Sequence, residues 1–571
     1  MKITNLKVKN FRGFENESIN FDDITVFVGE NNTGKTTILD AIRFVIGAKS
    51  FNTNFSRYDY YLNSPTAKHG DAGNIELIIE ASEQEENEWP PEIQQILPDC
   101  VDIDENGLCH FYLAYKGTYD QTNEKSEPVK EFQTKTGAPK NAKANTSHCF
   151  GEFKKLLPVF HIDTIRDSNK EFQSSSGLFQ TFLDSETIAP EQKNNLEQKL
   201  ASLNSEIIGV LGNINKLKEK LKQSMSVIAG SETTAVDIDP MPTNINDLIG
   251  KATVILHSIT GIKLPLERFG SGAQSLSVLF LYEAFLTVLL EEKYDEFSEP
   301  ILLIEEPEAH LHPSAVRLFW HFLTAMPGQK IITTHSGDIL SNVPFSKIRR
   351  IVGVKGANRI KSMFETSFND QEKRILSNYI KYSRGELFFA RCWLLVEGES
   401  EQALFNNLLN QDGFLDREGI RIIQFSQLGG IDVILKLVET FGVKWFLITD
   451  GDQAGQDYVQ KANIAIPPNK NKDNYLFKFP EKTIEVHLMN IGYINIYENY
   501  LSPANKQKIP NLGLNGIAYY EKIYELLGEQ KRSYKISKPL IIIEIIDDIL
   551  RSGNIPQIIP YIKTKLEAVN E

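Results

Sequence analysis

The sequence predicts an α/β protein of more than one domain, and three observations lead to this class. Hydrophobic strands followed by helical patterns occur near residues 24–47, return at 301–335, and form a second block at 392–450. The chain has 571 residues, too many for one hydrophobic core and enough for about two to four domains. We therefore expect an N-terminal domain over residues 1–384 and a C-terminal domain over residues 385–571.

The amino-acid composition limits which cellular compartment and which binding partners are expected. The four cysteines form no CxxC pair, which is typical of a reducing compartment and predicts a cytoplasmic protein. The start of the chain lacks the apolar run of a secretory signal, and the longest apolar run, 276–290, contains Glu283 and is too short to span a bilayer. The net charge of −14 opposes general attraction to nucleic acid, so basic residues between 347 and 361 are the candidates for a local patch.

The N-terminal domain is expected to open with strands and a helix. Residues 3–11 alternate apolar and polar side chains as a half-buried strand does, and 23–30 predict a strand that ends in a glycine-rich turn. A helix is expected from about Lys35. Further strand-like stretches are 75–81 and 110–117. The polar stretch 116–147 predicts a long loop or an edge hairpin.

A helical insert is predicted within this domain, over residues 175–245. Its apolar residues recur at helical spacing: Leu196, Leu200, Leu203, Ile207, Leu217 and Leu221. The same pattern suits two arrangements, an arm through which two copies of the chain dimerise or a helix pair packed on its own domain. The sequence leaves both open.

Residues 29–36 match the phosphate-binding pattern GxxxxGK[ST], between a hydrophobic strand and the start of a helix. In such a loop, glycines let backbone N–H groups close around phosphate, and the helix N-terminus adds positive potential. Lys35 is expected to reach the outer phosphates of ATP, and Thr36 to hold Mg²⁺. The candidate ATP-binding residues are Gly29, Asn31, Asn32, Gly34, Lys35, Thr36 and Thr37.

The second half of a nucleotide site is a strand that ends in acids, and residues 301–306 provide it. Glu305 is expected to hold the Mg²⁺ water shell, and Glu306 to orient or deprotonate the attacking water. His335 ends a later strand and is a candidate contact of the γ-phosphate. Taken alone, a histidine at a strand end is more often structural, and the order of the motifs favours the functional interpretation.

Together these motifs resemble the ATP-binding cassette (ABC) ATPases, specifically the SMC, Rad50 and RecF-like heads. The resemblance also includes KNFRGFE near the N-terminus and RFGSGAQS at 268–275, which is similar to the family's signature motif. It implies an ABC-type domain with mixed sheets, nucleotide contact by Arg12, and head-to-head pairing of two copies through Ser271 and Gly272.

The C-terminal domain is predicted to carry a cluster of acids. Glu397 and Glu401 follow one hydrophobic strand, and Asp450 and Asp452 follow another. Because parallel strands end at the same edge of a sheet, these acids are expected to converge, and all-oxygen ligands suit Mg²⁺ or Mn²⁺. The alternative is that they cap helix N-termini in a plain Rossmann-like domain.

EGESE and LITDGD in this order resemble the Toprim fold, a Rossmann-like parallel sheet. An ABC-type head followed by Toprim resembles the OLD (overcoming lysogenization defect) family of nucleases, which includes the nuclease subunit of the Gabija antiphage system. This resemblance implies a further metal-binding acid, Glu485, and a basic catalytic residue near the C-terminus, for which Lys538 is preferred over Lys535.

The predicted function is an ATP-binding DNA endonuclease that cleaves by a two-metal mechanism. Its expected partners are DNA, further copies of the chain, and a helicase or another defence subunit, without a membrane. One alternative is an ATP-dependent DNA clamp or sensor whose Toprim domain is only a scaffold. A topoisomerase or primase is disfavoured, since no further catalytic domain or zinc ribbon can be placed. A zinc knot built from Cys109, His110, His148 and Cys149 has no usual finger spacing.

Overall fold

The computed structural model describes most of the chain. The described residues are 1–47, 54–64, 66, 73–120, 125–162, 188–210, 242, 255–257, 263–265, 268, 284, 287–288, 294, 296–309, 311, 313–354, 356–362, 368–382, 385–468, 470–509, 514–530 and 532–570.

The strands are numbered along the chain. They are β1 Ile3–Phe11, β2 Phe14–Asn20, β3 Ile24–Gly29, β4 Ile75–Ser82, β5 Asp102–Ile103, β6 Cys109–Asp120, β7 Lys125–Gln133, β8 Val159–Ile162, β9 Ile255–His257, β10 Lys263–Pro265, β11 Ile301–Glu305, β12 Gln329–Thr333, β13 Ile348–Val354, β14 Ala357–Ser362, β15 Cys392–Val396, β16 Ile420–Gln424, β17 Lys444–Thr449 and β18 Leu476–Lys478.

The helices are numbered in the same way. They are α1 Lys35–Ile42, α2 Pro91–Ile96, α3 Ser147–Leu156, α4 Pro190–Val210, α5 Pro313–Ala325, α6 Gly337–Leu340, α7 Asp370–Tyr382, α8 Glu399–Leu409, α9 Phe414–Arg417, α10 Ile431–Phe441, α11 Gln453–Ala465, α12 Ile484–Leu488, α13 Ile494–Asn499, α14 Pro503–Lys506, α15 Gly516–Glu529, α16 Arg532–Ser552 and α17 Ile558–Asn570.

The first sheet is antiparallel, with strand order β2-β1-β4-β6-β5 and with β7 paired to β6. In β4 the apolar residues Ile75, Leu77 and Ile79 are fully buried and alternate with partly exposed ones, as the sequence predicts. The polar stretch 116–147 holds the end of β6 and the whole of β7, so the hairpin alternative is confirmed there.

The second sheet carries the predicted nucleotide motifs. Its order is β14-β13-β3-β12-β11-β8, and its neighbours are parallel except β13 and β14. Because β3, β11 and β12 run in the same direction, the residues that follow them meet at one edge of the sheet. This edge holds the glycine-rich loop after β3, the acids Glu305 and Glu306 at the end of β11, and His335 after β12.

The third sheet lies in the C-terminal part and is wholly parallel, with order β16-β15-β17-β18. Its two central strands are buried almost throughout, since helices cover both faces of a parallel sheet. Glu397 follows β15 and Asp450 follows β17, and these strands are direct neighbours. The fold therefore has the predicted α/β class, with an antiparallel sheet and a mixed sheet before a parallel one.

One hydrophobic core joins the second and third sheets, from Val26 in β3 to Trp393 in β15. Arg350 of β13 also crosses this junction, where it is 4% exposed. Its guanidinium donates to the carbonyl oxygens of Ala390, Phe441 and Phe388 at 2.5, 2.9 and 3.1 Å. Arg350 therefore belongs to the interior, and the surface-patch interpretation is wrong for it.

The helical insert is only partly described. Helix α4, Pro190–Val210, agrees with the predicted helical spacing, and the rest of the 175–245 segment lies outside the described residues apart from 188–189 and 242. The longest apolar run, 276–290, is also almost entirely outside them. Within the described part, no helix is both long enough and apolar enough to cross a membrane.

Candidate functional site

The glycine-rich loop connects β3 to α1 and is closed by its own lysine. The Nζ atom of Lys35 donates to the carbonyl oxygens of Gly29 and Glu30 at 2.9 and 2.7 Å. Burial of Lys35 lowers the pKa of its ammonium to about 8, against the opposing effect of Glu306 and other acids nearby. The loop therefore places a partly desolvated cation at its centre, which is what a polyphosphate would neutralise.

Backbone geometry explains the glycines of this loop. Gly34 has φ 92, and a β-carbon there would lie 2.8 Å from the ring of Phe14. Gly29 has φ 157, and its β-carbon would lie 2.7 Å from the carbonyl oxygen of Ile351. Of the other candidates, Thr37 is buried, whereas Asn31, Asn32 and Thr36 are exposed at the mouth of the loop.

The acids after β11 pair with two histidines. Glu305 lies 3.4 Å from Nε2 of His161, and Glu306 lies 3.4 Å from Nε2 of His335. Glu306 adopts φ 41, in the left-handed region that residues other than glycine rarely occupy and that is enriched at functional sites. Burial, and then the charge of Lys35, lower the pKa of His335 and so favour its neutral form.

Glu308 accepts hydrogen bonds from the start of the loop that follows β12. Its Oε1 accepts from Oγ1 of Thr334 at 2.8 Å and from the backbone N–H of His335 at 2.7 Å. Its other oxygen is buried without a hydrogen-bond partner among the described residues, and burial raises the pKa of the carboxyl. Glu308 therefore orients His335.

Arg12 lies near the nucleotide loop and is held by two acids, Asp40 at 2.6 Å and Asp59 at 2.8 Å. Nucleotide contact by Arg12 stays a prediction. The predicted signature residues Ser271 and Gly272 lie outside the described residues.

In the C-terminal sheet, the loop after β17 carries two of the predicted acids. Asp452 caps α11 and accepts from the N–H of Gly455 at 2.8 Å, while Asp450 accepts from the N–H of Ile484 at 3.0 Å. A β-carbon at Gly455 would lie 2.0 Å from the carbonyl oxygen of Asp450, so this tight loop requires glycine there. Asp452 thus uses one carboxylate oxygen to cap α11, whereas Asp450 bonds across to the loop that begins α12.

Glu485 lies on α12 and is 2% exposed. It accepts from Oγ of Ser400 at 2.9 Å and pairs with Nζ of Lys538 at 2.7 Å. The structure therefore brings the two residues proposed by resemblance alone into direct contact. The side chain of Lys535, the second choice, lies outside the described residues.

The acids influence one another strongly. Burial, followed by the charges of Glu401, Glu485 and Glu397, raises the pKa of Asp450 to about 8. Burial and then Glu485 raise the pKa of Glu401 to about 7, and burial and then Asp452 raise that of Glu397. The five predicted acids therefore form one mutually repelling group.

Lys538 is the cation within this group. Burial opposes its charge, but the charge and hydrogen bond of Glu485 outweigh that effect and raise the pKa of the ammonium above its usual range. Lys538 therefore stays charged at neutral pH and offsets part of the negative potential.

The donor set fits a divalent cation. In the described part of the chain, no three acidic, histidine or cysteine side chains enclose a metal position as they stand. However, Glu397 Oε2 is buried without a hydrogen-bond partner among the described residues, and burial followed by the charges of neighbouring acids raises the pKa values of three of the acids. Carboxylates in this state are suited to Mg²⁺ or Mn²⁺. Glu397, Glu401, Asp450, Asp452 and Glu485 are the residues that would hold it.

Sequence patterns did not identify several residues that contact the two candidate sites. They are Glu308, His161, Ser400 and the pair Glu30 and Arg391. Each acts through a partner far away along the chain, so no local spacing marks it. At the proposed zinc knot, Cys149 donates to the carbonyl of Lys143 and the His148 side chain is 77% exposed, and no metal-binding group forms there among the described residues.

A mixed sheet that carries a glycine-rich GxxxxGK[ST] loop is followed by a parallel sheet with acids after its strands, and this second part has the architecture of a Toprim domain. Residues 1–386 match the family described as protein of unknown function DUF2813, and the chain belongs to this family. Residues 388–452 match the TOPRIM domain described as overcoming lysogenization defect protein-like. The predicted OLD-type combination is therefore confirmed.

Three relatives show how far the similarity extends. The protein YbjD of Escherichia coli K12, named as uncharacterized, is 23% identical, covering 96% of this chain and 99% of its own. The OLD nuclease of Thermus scotoductus is 24% identical, covering 78% of this chain and 81% of its own. Endonuclease GajA of Bacillus cereus VD045 is 23% identical, covering 72% and 68% respectively.

Proposed function

We propose that this protein is an ATP-binding, divalent-metal-dependent DNA endonuclease whose cleavage is regulated by nucleotide. The observation that carries the proposal is the group of five buried or half-buried acids with one lysine, at the carboxyl edge of a parallel sheet. Two similar proteins are named as nucleases, and both are similar to this chain over most of its length.

The proposed chemistry assigns a role to each side chain. Bound divalent ions would supply an activated water and stabilise the leaving oxygen of the phosphodiester. Glu397, Asp450 and Asp452 present carboxylates from adjacent strand ends, and Ser400 and Lys538 orient Glu485. Lys538 also offsets negative charge that develops on the transferred phosphate.

The proposed nucleotide site lies at the edge of the second sheet. Lys35 and Thr36 would bind ATP and its Mg²⁺, with Glu305 on the metal's water shell and Glu306 positioned beside His335 to orient water. The proposed partners are DNA, a second copy of the chain through its heads and helical insert, and a helicase or another defence subunit. We place the activity in the cytoplasm, in antiphage defence or DNA processing.

The test is cleavage of supercoiled plasmid by purified protein with Mg²⁺ or Mn²⁺, with and without ATP. Asp450→Ala removes one proposed ligand, and Asp547→Ala removes an acid that is half exposed and pairs weakly with Arg551. We expect cutting by the wild type and by Asp547→Ala, and none by Asp450→Ala.

Cutting by Asp450→Ala at the wild-type rate would contradict the proposed nuclease centre. If the wild type hydrolyses ATP but cuts DNA under none of these conditions, the result favours the alternative of an ATP-dependent clamp or sensor.

A further inference from the structure

A cleft of about 360 Å³ separates the nucleotide loop from the start of the C-terminal sheet. Glu30, Asn31 and His335 line it on the side of the loop, and Arg391 and Arg417 line it on the side of the C-terminal sheet. Two guanidinium groups from one part of the chain therefore face the proposed phosphate-binding loop of the other.

The two arginines of this cleft form exposed ion pairs, which are weak. Nε of Arg391 donates to Oε1 of Glu30 at 2.8 Å, with side chains 50% and 35% exposed, and a pair so open to water contributes little to stability. Arg417 is 58% exposed and lies 3.4 Å from Glu418. Both guanidiniums can therefore change partner at small cost.

Asp416 also lines the cleft, and its charge is engaged elsewhere. It accepts from Asn410 at 2.9 Å and pairs with Arg421 at 3.2 Å. Glu30 is thus the carboxylate that competes for Arg391.

Glu30 belongs to the loop that phosphate would open. Lys35 holds the carbonyl oxygens of Gly29 and Glu30, so a phosphate that attracts Lys35 releases both of these backbone contacts. A guanidinium binds phosphate through two parallel hydrogen bonds. A phosphate therefore competes well with a carboxylate for the same arginine. Arrival of a polyphosphate therefore loosens Glu30 and presents Arg391 with a better partner.

We propose that Arg391 and Arg417 form a second wall of the nucleotide site and bind the terminal phosphate of a nucleoside triphosphate held by the loop of the same chain. This proposal rests on the proposed function of that loop as an ATP site. Glu30 holds Arg391 when the phosphate is absent, and the phosphate replaces it.

Arg391 and the proposed metal ligand Glu397 lie at opposite ends of β15. Arg391 immediately precedes β15, and Glu397 immediately follows it, so the two residues lie about 20 Å apart along the strand at roughly 3.3 Å per residue. Arg350 fixes the same junction by donating to Ala390. A terminal phosphate on Arg391 thus contacts the start of the strand whose other end carries a proposed metal ligand.

The experiment measures binding of ATP, in non-hydrolysable form, and of ADP to the full chain with Mg²⁺. The variants are Arg391→Ala, Arg417→Ala and Glu30→Gln, with Arg551→Ala as the control because its side chain is 80% exposed and lies outside the cleft. We expect Arg391→Ala to weaken ATP binding about tenfold and ADP binding less than twofold. Arg417→Ala acts in the same direction, Arg551→Ala has no effect, and Glu30→Gln strengthens ATP binding.

Arg391→Ala and Glu30→Gln break the same contact, so a purely structural ion pair would give both variants the same effect on ATP binding. The proposal predicts weaker ATP binding in the first and stronger ATP binding in the second. Equal effects of these two variants, or unchanged ATP binding in Arg391→Ala, would overturn the proposal. Weaker binding of plasmid DNA with unchanged ATP binding would also overturn it, assigning the arginines to DNA. Failure of the underlying ATP site would be recognised separately, because Lys35→Ala would then bind ATP as the wild type does.

Discussion

The nucleotide loop and the acid cluster differ in how fully their charged side chains are paired. In the loop, the ammonium of Lys35 folds back onto two carbonyl oxygens of its own backbone. In the C-terminal sheet, five acids lie close together with one lysine, and one oxygen of Glu397 is buried without a hydrogen-bond partner in the part of the chain that the structure describes. The first site is internally satisfied, whereas the second retains unneutralised negative charge.

This difference predicts different responses to substitution. A loop that is satisfied internally loses ligand binding when its cation is removed, with little change in folding. A repelling cluster loses activity when an acid is removed, yet the metal-free fold is relieved of repulsion.

Glu397→Ala should lower the rate of DNA cleavage by about 10³-fold or more, because it removes a proposed ligand of the catalytic metal. ATP binding should stay within about twofold of the wild type. The measurement is plasmid cleavage alongside ATP titration. Cleavage within a few-fold of the wild-type rate would mean that the acid cluster is not the catalytic centre.

Lys35→Ala should weaken ATP binding by about 10²-fold, since it removes a charged donor to phosphate. Its melting temperature should change little, because burial opposes the charge of Lys35 and its removal offsets the loss of the two hydrogen bonds to carbonyl oxygens. Calorimetric titration and thermal melting check the two expectations. ATP binding at wild-type affinity would contradict the phosphate-loop assignment.

Lys538→Met should lower the free energy of unfolding by about 1–3 kcal/mol, because buried Glu485 then loses its cation and retains the hydrogen bond from Ser400. The matched control is Lys508→Met, whose pair with Glu529 is half exposed on both sides. Urea denaturation should separate the two variants. Equal effects would show that the Lys538 pair is an ordinary surface contact.

The pH dependence of stability should reveal the repulsion directly. Folded pKa values of about 7 for Glu401 and 8 for Asp450 exceed the ordinary values, which lie near 4. The folded protein therefore binds more protons than the unfolded one, and the metal-free protein should lose stability as pH rises from about 4 to 8.

Thermal melting in EDTA between pH 5 and 8 measures this slope, which should amount to a few degrees and be shallower in Asp450→Asn. Added Mn²⁺ should raise the melting temperature most at pH 8, where protons no longer compete with it. A slope that is identical in Asp450→Asn would contradict the repulsion.

Sequence reasoning succeeded where the chemistry is local. The glycine-rich loop occupies eight consecutive residues, and Glu397 and Asp450 each directly follow a hydrophobic strand. Strand direction then determines which ends meet, so the juxtaposition of Glu397 and Asp450 followed from the predicted parallel sheet. Glu485 and Lys538 came from resemblance, because nothing in their own surroundings distinguishes them from solvated residues.

The remaining contacts depend on tertiary packing that no short pattern encodes. Arg350 lies in a basic stretch that is typical of a surface patch, yet its guanidinium lies in the junction between sheets, where it donates to three carbonyl oxygens. Arg391 and Glu30 are 361 residues apart. Ser400 contributes its hydroxyl to an acid 85 residues away.

The most direct test of the metal centre is titration of Mn²⁺ into metal-free protein without nucleotide, so that the proposed Thr36 and Glu305 site adds no binding. We predict about two ions per chain for the wild type, as two-metal phosphodiester cleavage requires, and loss of this binding in the Glu397→Ala, Asp450→Ala double variant. Binding of Mn²⁺ with the same stoichiometry and affinity in the double variant would contradict the account.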